Sequence, residues 1–222
     1  MIPRRPPRKP QGGEDDWVAT FADMVTLLLG FFILLASISK VDMAMFEQVQ
    51  AGMAKGVGKR DIETPLENLK REVKEILVEM NVQETSSIGS DSAGVIIEFA
   101  SSSFFDPGSA TLRNDAKPIL KRVADTLNAD IYKNFQVEVQ GHTDDTPIHS
   151  PIFPSNWELS AARATGVVRY FIEQQMTPTR LRAVGLADVA PKVPNLDPFG
   201  NPLPVNREIN RRIVIRVNPT RL

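Results

Sequence analysis

Residues 17–39 read WVATFADMVTLLLGFFILLASIS, an apolar run broken by one charge. At about 1.5 Å of rise per residue a helix of this length covers roughly 34 Å, enough to cross a hydrocarbon core of about 30 Å. Two other readings compete: a buried core helix and a cleaved signal peptide. A signal peptide has an apolar region of about 7–15 residues and a small-residue cleavage site. This run is longer, holds Asp23, and continues as LASISKVD without an A-x-A pattern. The sequence therefore predicts one membrane span, with Trp17 and Lys40 at its two interfaces. Arg4, Arg5, Arg8 and Lys9 precede the span, whereas Lys40 is followed by a base only at Lys55. That bias puts the N-terminus in the cytoplasm and the bulk of the chain outside. Residues 1–16, rich in Pro and Gly, are expected to form a disordered cytoplasmic tail.

Asp23 is the most informative residue of the span. A carboxylate at the centre of a membrane helix costs about 2.5–3.5 kcal/mol even on lenient scales, so an intramembrane acid points to function by default. At 100° per residue Ala19, Thr20, Asp23, Thr26 and Gly30 share a narrow face, with Ser37 further along. Small and hydroxyl residues on one face suit close approach of another helix. A structural polar contact between helices is the plainer reading. The alternative is an ion relay, because a carboxylate that is neutral when sealed and ionised when hydrated passes protons. With the hydroxyls of Thr20 and Thr26 it also offers oxygen ligands to a hard cation such as sodium. One helix cannot seal a pathway, so a multi-span partner is implied.

The remainder of the chain is expected to be soluble. Hydrophobic residues make up 42% and charged ones 24% of the whole, as in globular domains. A formal net charge of -1 argues against a nucleic-acid partner. The chain has no Cys, which excludes disulfides and thiolate zinc sites. Residues 40–60 carry Val41, Met45, Val49 and Met53 at four-residue steps, an amphipathic helix that either packs on a neighbour or plugs the pathway. Residues 61–93 read as a linker holding a periplasmic helix at 64–82, opened by a Thr64 cap and Pro65. Its Leu66, Leu69, Val73, Ile76 and Met80 suit either a short paired helix or docking on the next domain. Residues 83–93 read as a polar loop.

Residues 94–222 alternate strand and helix signals, predicting an α+β domain in the order βαβαββ. Strands are expected at 94–100, 135–140, 181–185 and 212–218, and helices at 114–128 and 156–175. A Ser155-x-x-Glu158 capping box opens the second helix. Residues 187–207 read as a long loop. Asp144 follows a strand end, and Arg163 lies on the next helix. A carboxylate beside a guanidinium can hold an ammonium and a carboxylate together. The plainer readings are a turn cap for Asp144 and a surface ion pair for Arg163. His142 and His149 lack further His or Cys for a metal site. His142 is better read as a hydrogen-bonded structural residue, and Asn156 as largely a residue of the helix start.

Three motifs, GHTDDTPI at 141–148, SNWELSAARA at 155–164 and INRRIVIRV at 209–217, resemble the OmpA-like peptidoglycan-binding domain. Together with TFAD and LLLGFFILLASIS in the span, the chain resembles the MotB/PomB family of flagellar stator proteins. The resemblance implies that Asp23, with Thr20 and Thr26, binds the transported sodium ion or proton, with no other cofactor. It implies that Asp144 and Arg163 hold diaminopimelate of the wall peptide, with Thr143, Asn156, Leu159 and Arg211 shaping the site. Arg212 completes the NRR match. Two copies are expected inside a ring of a MotA/PomA-like multi-span protein in the bacterial inner membrane, driving the flagellar rotor. The stretches around TFAD and SISKVDMAMFEQV lean toward the sodium-linked branch. A passive anchor joining membrane to wall is the rival reading. A wall hydrolase is disfavoured, since no Cys nucleophile, zinc cluster or recognisable acid pair is present.

Overall fold

The apolar run forms helix α1, Asp16–Ile38, in a computed structural model that describes residues 16–38, 64–91 and 93–219. The tail before residue 16 and the expected helix at 40–60 lie outside the described residues. Helix α1 has no Pro and is rich in Leu, Ala and Phe. Its large side chains from Trp17 to Leu35, among them Phe21, Leu27, Phe32 and Leu34, are exposed. Such a surface suits lipid rather than water. The helix thus starts and ends one residue earlier than the expected span, a difference within ordinary helix fraying.

Among the described residues the first element of the second unit is helix α2, Pro65–Glu79. The Thr64 hydroxyl accepts a bond from the Glu67 N–H at 3.3 Å, and Pro65 occupies the first turn. Leu69, Val73 and Leu77 enter the core of the following domain. The Tyr132 hydroxyl donates to Glu72 of this helix at 3.2 Å, and on the surface Arg122 donates to Glu79 at 2.6 Å. Of the two readings of this helix, docking is the one observed; the helix is part of the domain rather than a free linker.

Residues 83–93, read as a polar loop, contain strand β1, Ser86–Ser90. Its sequence SSIGS has one apolar residue and no alternation, so no pattern announces it. It forms as an edge strand through backbone pairing to β2, Val95–Ala100, with Ile88 opposite Ile97. Next come α3 (Lys117–Leu127), β3 (Phe135–Gly141), α4 (Asn156–Glu173) and β4 (Leu181–Gly185). Strand β5 spans Arg212–Pro219. The capping box at Ser155 and Glu158 is formed. The end of the expected long loop holds a short helix α5, Pro204–Asn210, with no side-chain cap to betray it. From β2 onward the order is βαβαββ, with α5 inserted before the last strand.

The sheet order is β1-β2-β5-β3-β4. β3 and β4 are parallel and joined across α4; the other pairs are antiparallel. The last strand therefore inserts at the centre, which explains the apolar run in IVIRV. Val95, Ile97, Phe99, Val137, Val139, Ile215 and Val217 face the core, together with α2, α3 and α4. The other face carries Glu98, Glu138 and Arg216, as two-residue periodicity requires.

Two glycines set the seat of α4. Gly141 and Gly185 are neighbours in the β3/β4 register. A Cβ on Gly141 would lie 2.2 Å from the Ser160 carbonyl oxygen, and one on Gly185 would lie 2.7 Å from the Ala161 nitrogen. Helix backbone thus rests on strand backbone, and a side chain at either point would lever the helix away. Gly141→Ala is expected to cost about 2–3 kcal/mol by overpacking. Thermal unfolding of the full-length chain should show a clearly lowered midpoint; an unchanged one would mean that α4 can shift freely.

Candidate functional site

The loop after β3 is held on both sides. The His142 N–H donates to the Arg212 carbonyl at 3.0 Å, and the Thr143 N–H donates to Ala187 at 2.8 Å. These bonds turn Asp144 inward, where its side chain is only 7% exposed. One carboxylate oxygen accepts the Thr146 N–H at 2.9 Å, and the other accepts a bond from Arg211. Taking a carboxylate out of water is costly unless such partners replace the lost hydration. Asn156, the first residue of α4, donates to the Asp144 and Thr146 carbonyls at 3.3 and 3.0 Å. It therefore ties the turn to the helix, while the cap itself is Ser155.

Two turns further along α4, Arg163 is 5% exposed. Its Nε donates to the Ser109 carbonyl at 2.8 Å and its Nη2 to Asp106 at 3.4 Å. Its guanidinium carbon lies 5.3 Å from the centre of the Phe105 ring. Burial, followed by the charge of Arg211, pushes its pKa down to about 10, and Asp144 opposes the shift. Arg163 stays protonated at neutral pH. Among the described residues no carboxylate forms an ion pair with it. It is a desolvated cation bonded to neutral carbonyls, which suits it to receive an anion.

Asp144 and Arg163 do not bond to each other, yet they line one cleft of about 530 Å³. Thr143, Asn156, Leu159 and Arg211 line it too, so all six residues expected in the periplasmic domain meet there. The Thr143 hydroxyl is buried without a hydrogen-bond partner. Glu208 was not anticipated. It lines the cleft from α5, binds Arg211, and accepts a bond from the Ser102 hydroxyl at 2.8 Å. Its place three residues before Arg211, which caps the end of α5, is the signal that could have revealed it.

The neighbours of these residues serve the frame. Asp145 holds Arg207 in a two-pronged bridge of 2.7 and 2.9 Å, which pins α5 beside the loop. The Arg207 hydrogen bond keeps the Asp145 carboxyl below its usual range. Arg212 turns away from the cleft, donating to the Asn210 and Ala190 carbonyls at 3.2 Å each, with Glu98 at 4.0 Å. His142 is 4% exposed, and neither ring nitrogen makes a well-formed hydrogen bond, contrary to the reading of it as a hydrogen-bonded residue. Burial, with Arg212 adding, pushes its pKa down to about 4, while Glu98 and the Ala190 backbone oppose. His149 lies apart, its Nδ1 2.9 Å from the Pro154 carbonyl oxygen.

On α1 the Thr20 hydroxyl donates to the Trp17 carbonyl at 2.9 Å. That of Thr26 donates to Ala22 and Asp23 at 2.9 and 2.8 Å. Both hydroxyl protons are thus satisfied by the helix itself. Thr20 and Thr26 flank Asp23 at three-residue steps on either side, and all three residues are exposed on this helix.

Comparison with known proteins places these features. Residues 104–201 match the OmpA family, and residues 3–56 match the family described as membrane MotB of the proton-channel complex MotA/MotB. The uncharacterised protein YtxE of Bacillus subtilis is 34% identical over 194 residues, covering 79% of each chain. Motility protein B of the same organism is 26% identical, covering 93% of this chain and 91% of the relative. A MotB-like protein from Desulfovibrio vulgaris superposes with a TM-score of 0.60 at 26% identity, over 69% of this chain and 90% of that one. The cell wall anchor of the T6SS from Pseudomonas aeruginosa superposes at 0.58 with 27% identity, over 68% and 99%.

A membrane-length helix joined to an OmpA-like domain with a charged cleft defines the class: a membrane-tethered OmpA-like protein. Within that class the chain belongs to the MotB family.

The buried His142 gives a pH signature. Its folded pKa, about 4, lies below the ordinary 6.5, so the unfolded chain binds the extra proton first. Its contribution to stability is complete above about pH 6.5 and is lost as pH falls toward 4. Unfolding midpoints measured across that window should drop with pH in the unaltered chain and flatten in His142→Gln. An equal slope in both would remove His142 as the source.

Proposed function

We propose that this chain is a stator subunit that converts ion flow past Asp23 into torque while its cleft holds peptidoglycan. The observation that carries the reading is a single chain with an acid on a membrane-length helix and, outside the membrane, a cleft where buried Asp144 and Arg163 face the same space. A zwitterionic group fits that cleft: its ammonium goes to Asp144 and its carboxylate to Arg163, whose donors are only partly used by carbonyls. Diaminopimelate of the wall peptide is such a group. Thr143 offers a buried hydroxyl, and Leu159 an apolar wall for its methylene chain. MotB-family proteins are structural stator or anchor proteins, not enzymes.

In the membrane, two copies would sit within a MotA/PomA-like partner in the bacterial inner membrane, with the N-termini in the cytoplasm and the OmpA-like domains in the periplasm. Asp23 from each helix would face the partner and exchange its ion, with the Thr20 and Thr26 oxygens as further ligands. One charge crossing 100 mV releases about 2.3 kcal/mol, available to reshape the partner against the rotor. The matched family is described by a proton channel, whereas the stretches flanking the span lean toward sodium. Swimming speed against external sodium at fixed pH, with and without a protonophore, separates the two ions.

The likeness to the T6SS wall anchor favours one rival, a tether without ion transport. Asp23→Asn decides between them: it should abolish motility and ion flux while the chain still binds purified sacculi. Continued swimming would reject the ion role. Asp144→Asn and Arg163→Gln should each weaken retention of the full-length chain on sacculi by roughly tenfold or more. Retention unchanged in both would reject the cleft as the wall site.

A further inference from the structure

The acid of the cleft is already occupied. Arg211 bonds through Nη1 to Asp144 and through Nη2 to Glu208. The three side chains differ in exposure: Asp144 is 7% exposed, Arg211 37% and Glu208 45%. A ligand ammonium seeking the Asp144 oxygen would meet a guanidinium on it, and two cations cannot share that oxygen without strong repulsion. The Thr146 N–H holds the other oxygen. Either the ligand leaves Asp144 alone or Arg211 moves.

We propose that Arg211 is a displaceable counter-ion of Asp144, and that Glu208 is the carboxylate that keeps hold of it when a ligand ammonium enters. This deepens the reading of the cleft as a zwitterion site and rests on it. The two bonds of Arg211 use different prongs, so the one to Asp144 can break while the one to Glu208 persists. A buried Asp144 left with no cation would be costly, which is why a counter-ion stays until a replacement arrives. A half-exposed arginine released toward solvent costs little, and less when a carboxylate already grips it. The Ser102 hydroxyl bonds the other Glu208 oxygen and keeps that side chain in place. Glu208 is therefore a positioning residue that acts through Arg211 without touching the ligand. The arrangement also selects: a ligand with a carboxylate but no ammonium cannot release Arg211 and finds Asp144 closed.

The test is calorimetric binding of a soluble wall stem peptide containing diaminopimelate to the full-length chain in detergent. Glu208→Gln should weaken binding about fivefold, because Arg211 then rests wholly on Asp144. Arg211→Gln should tighten binding by removing the competitor. The double variant should bind like Arg211→Gln alone, so that the Glu208 effect vanishes when its arginine is gone. Arg211→Met, which keeps a long side chain but removes the charge, serves for the same comparison if Arg211→Gln loses its melting transition. A Glu208→Gln loss that persists in the double variant, or an Arg211→Gln that fails to tighten binding, overturns the inference and leaves the zwitterion site standing. An unaltered chain that ignores the peptide overturns both.

Discussion

The close seating of α4 on the ends of β3 and β4 is the contact from which the site follows. Helix backbone at Ser160 and Ala161 lies on strand backbone at Gly141 and Gly185, with no side chain between. That approach brings Asn156, Leu159 and Arg163, spaced by three and four on one helical face, beside the loop that carries Thr143 and Asp144. Asn156 then locks the loop through two carbonyls. The cleft is consequently a property of sheet and helix together, and its precision is that of backbone packing rather than of a mobile loop.

Charge in the cleft is arranged by what each group lacks. Arg163 is stripped of water but bonded only to carbonyls and an aromatic face, and so retains attraction for an anion. Asp144 is stripped of water too, but has a cation in Arg211, the residue just after α5. Arg180 shows that burial alone would not have identified the site. It is equally desolvated and donates to the Phe135, Leu127 and Tyr132 carbonyls at 2.9, 3.0 and 2.7 Å. Yet it plugs the end of α3 inside the fold and does not line the cleft that holds Arg163. The difference between a structural and a receptive arginine is the space in front of it.

The membrane helix obeys a different rule. Its hydroxyls satisfy their protons within the helix, which is what a hydrocarbon surround demands of polar groups. The Asp23 carboxylate has no hydroxyl proton to satisfy in this way, and in a bilayer it would have to find its partner elsewhere. This asymmetry on one face is the reason a second membrane protein enters the functional reading at all.

Much of this was legible from residues alone. The span, the alternation in GVIIEFA and FQVEVQ, the capping box at Ser155 and the strand RIVIRVN follow from periodicity and local chemistry, which act over a few neighbours. The grouping of Asp144, Arg163 and Arg211 came from motif resemblance, and the fold does bring them to one cleft. Strand β1 was hidden because SSIGS is held by backbone bonds to an edge, not by its own side chains. Helix α5 was hidden by its brevity and lack of a cap. The partner of Asp144 could not be read either: Arg211 lies 67 residues away, and only the insertion of β5 between β2 and β3 delivers it. Sequence by itself determined the apolar span and those helices and strands whose own periodicity or caps mark them. Tertiary structure decided which charges meet, because ion pairing depends on distance in space and chain separation does not encode it.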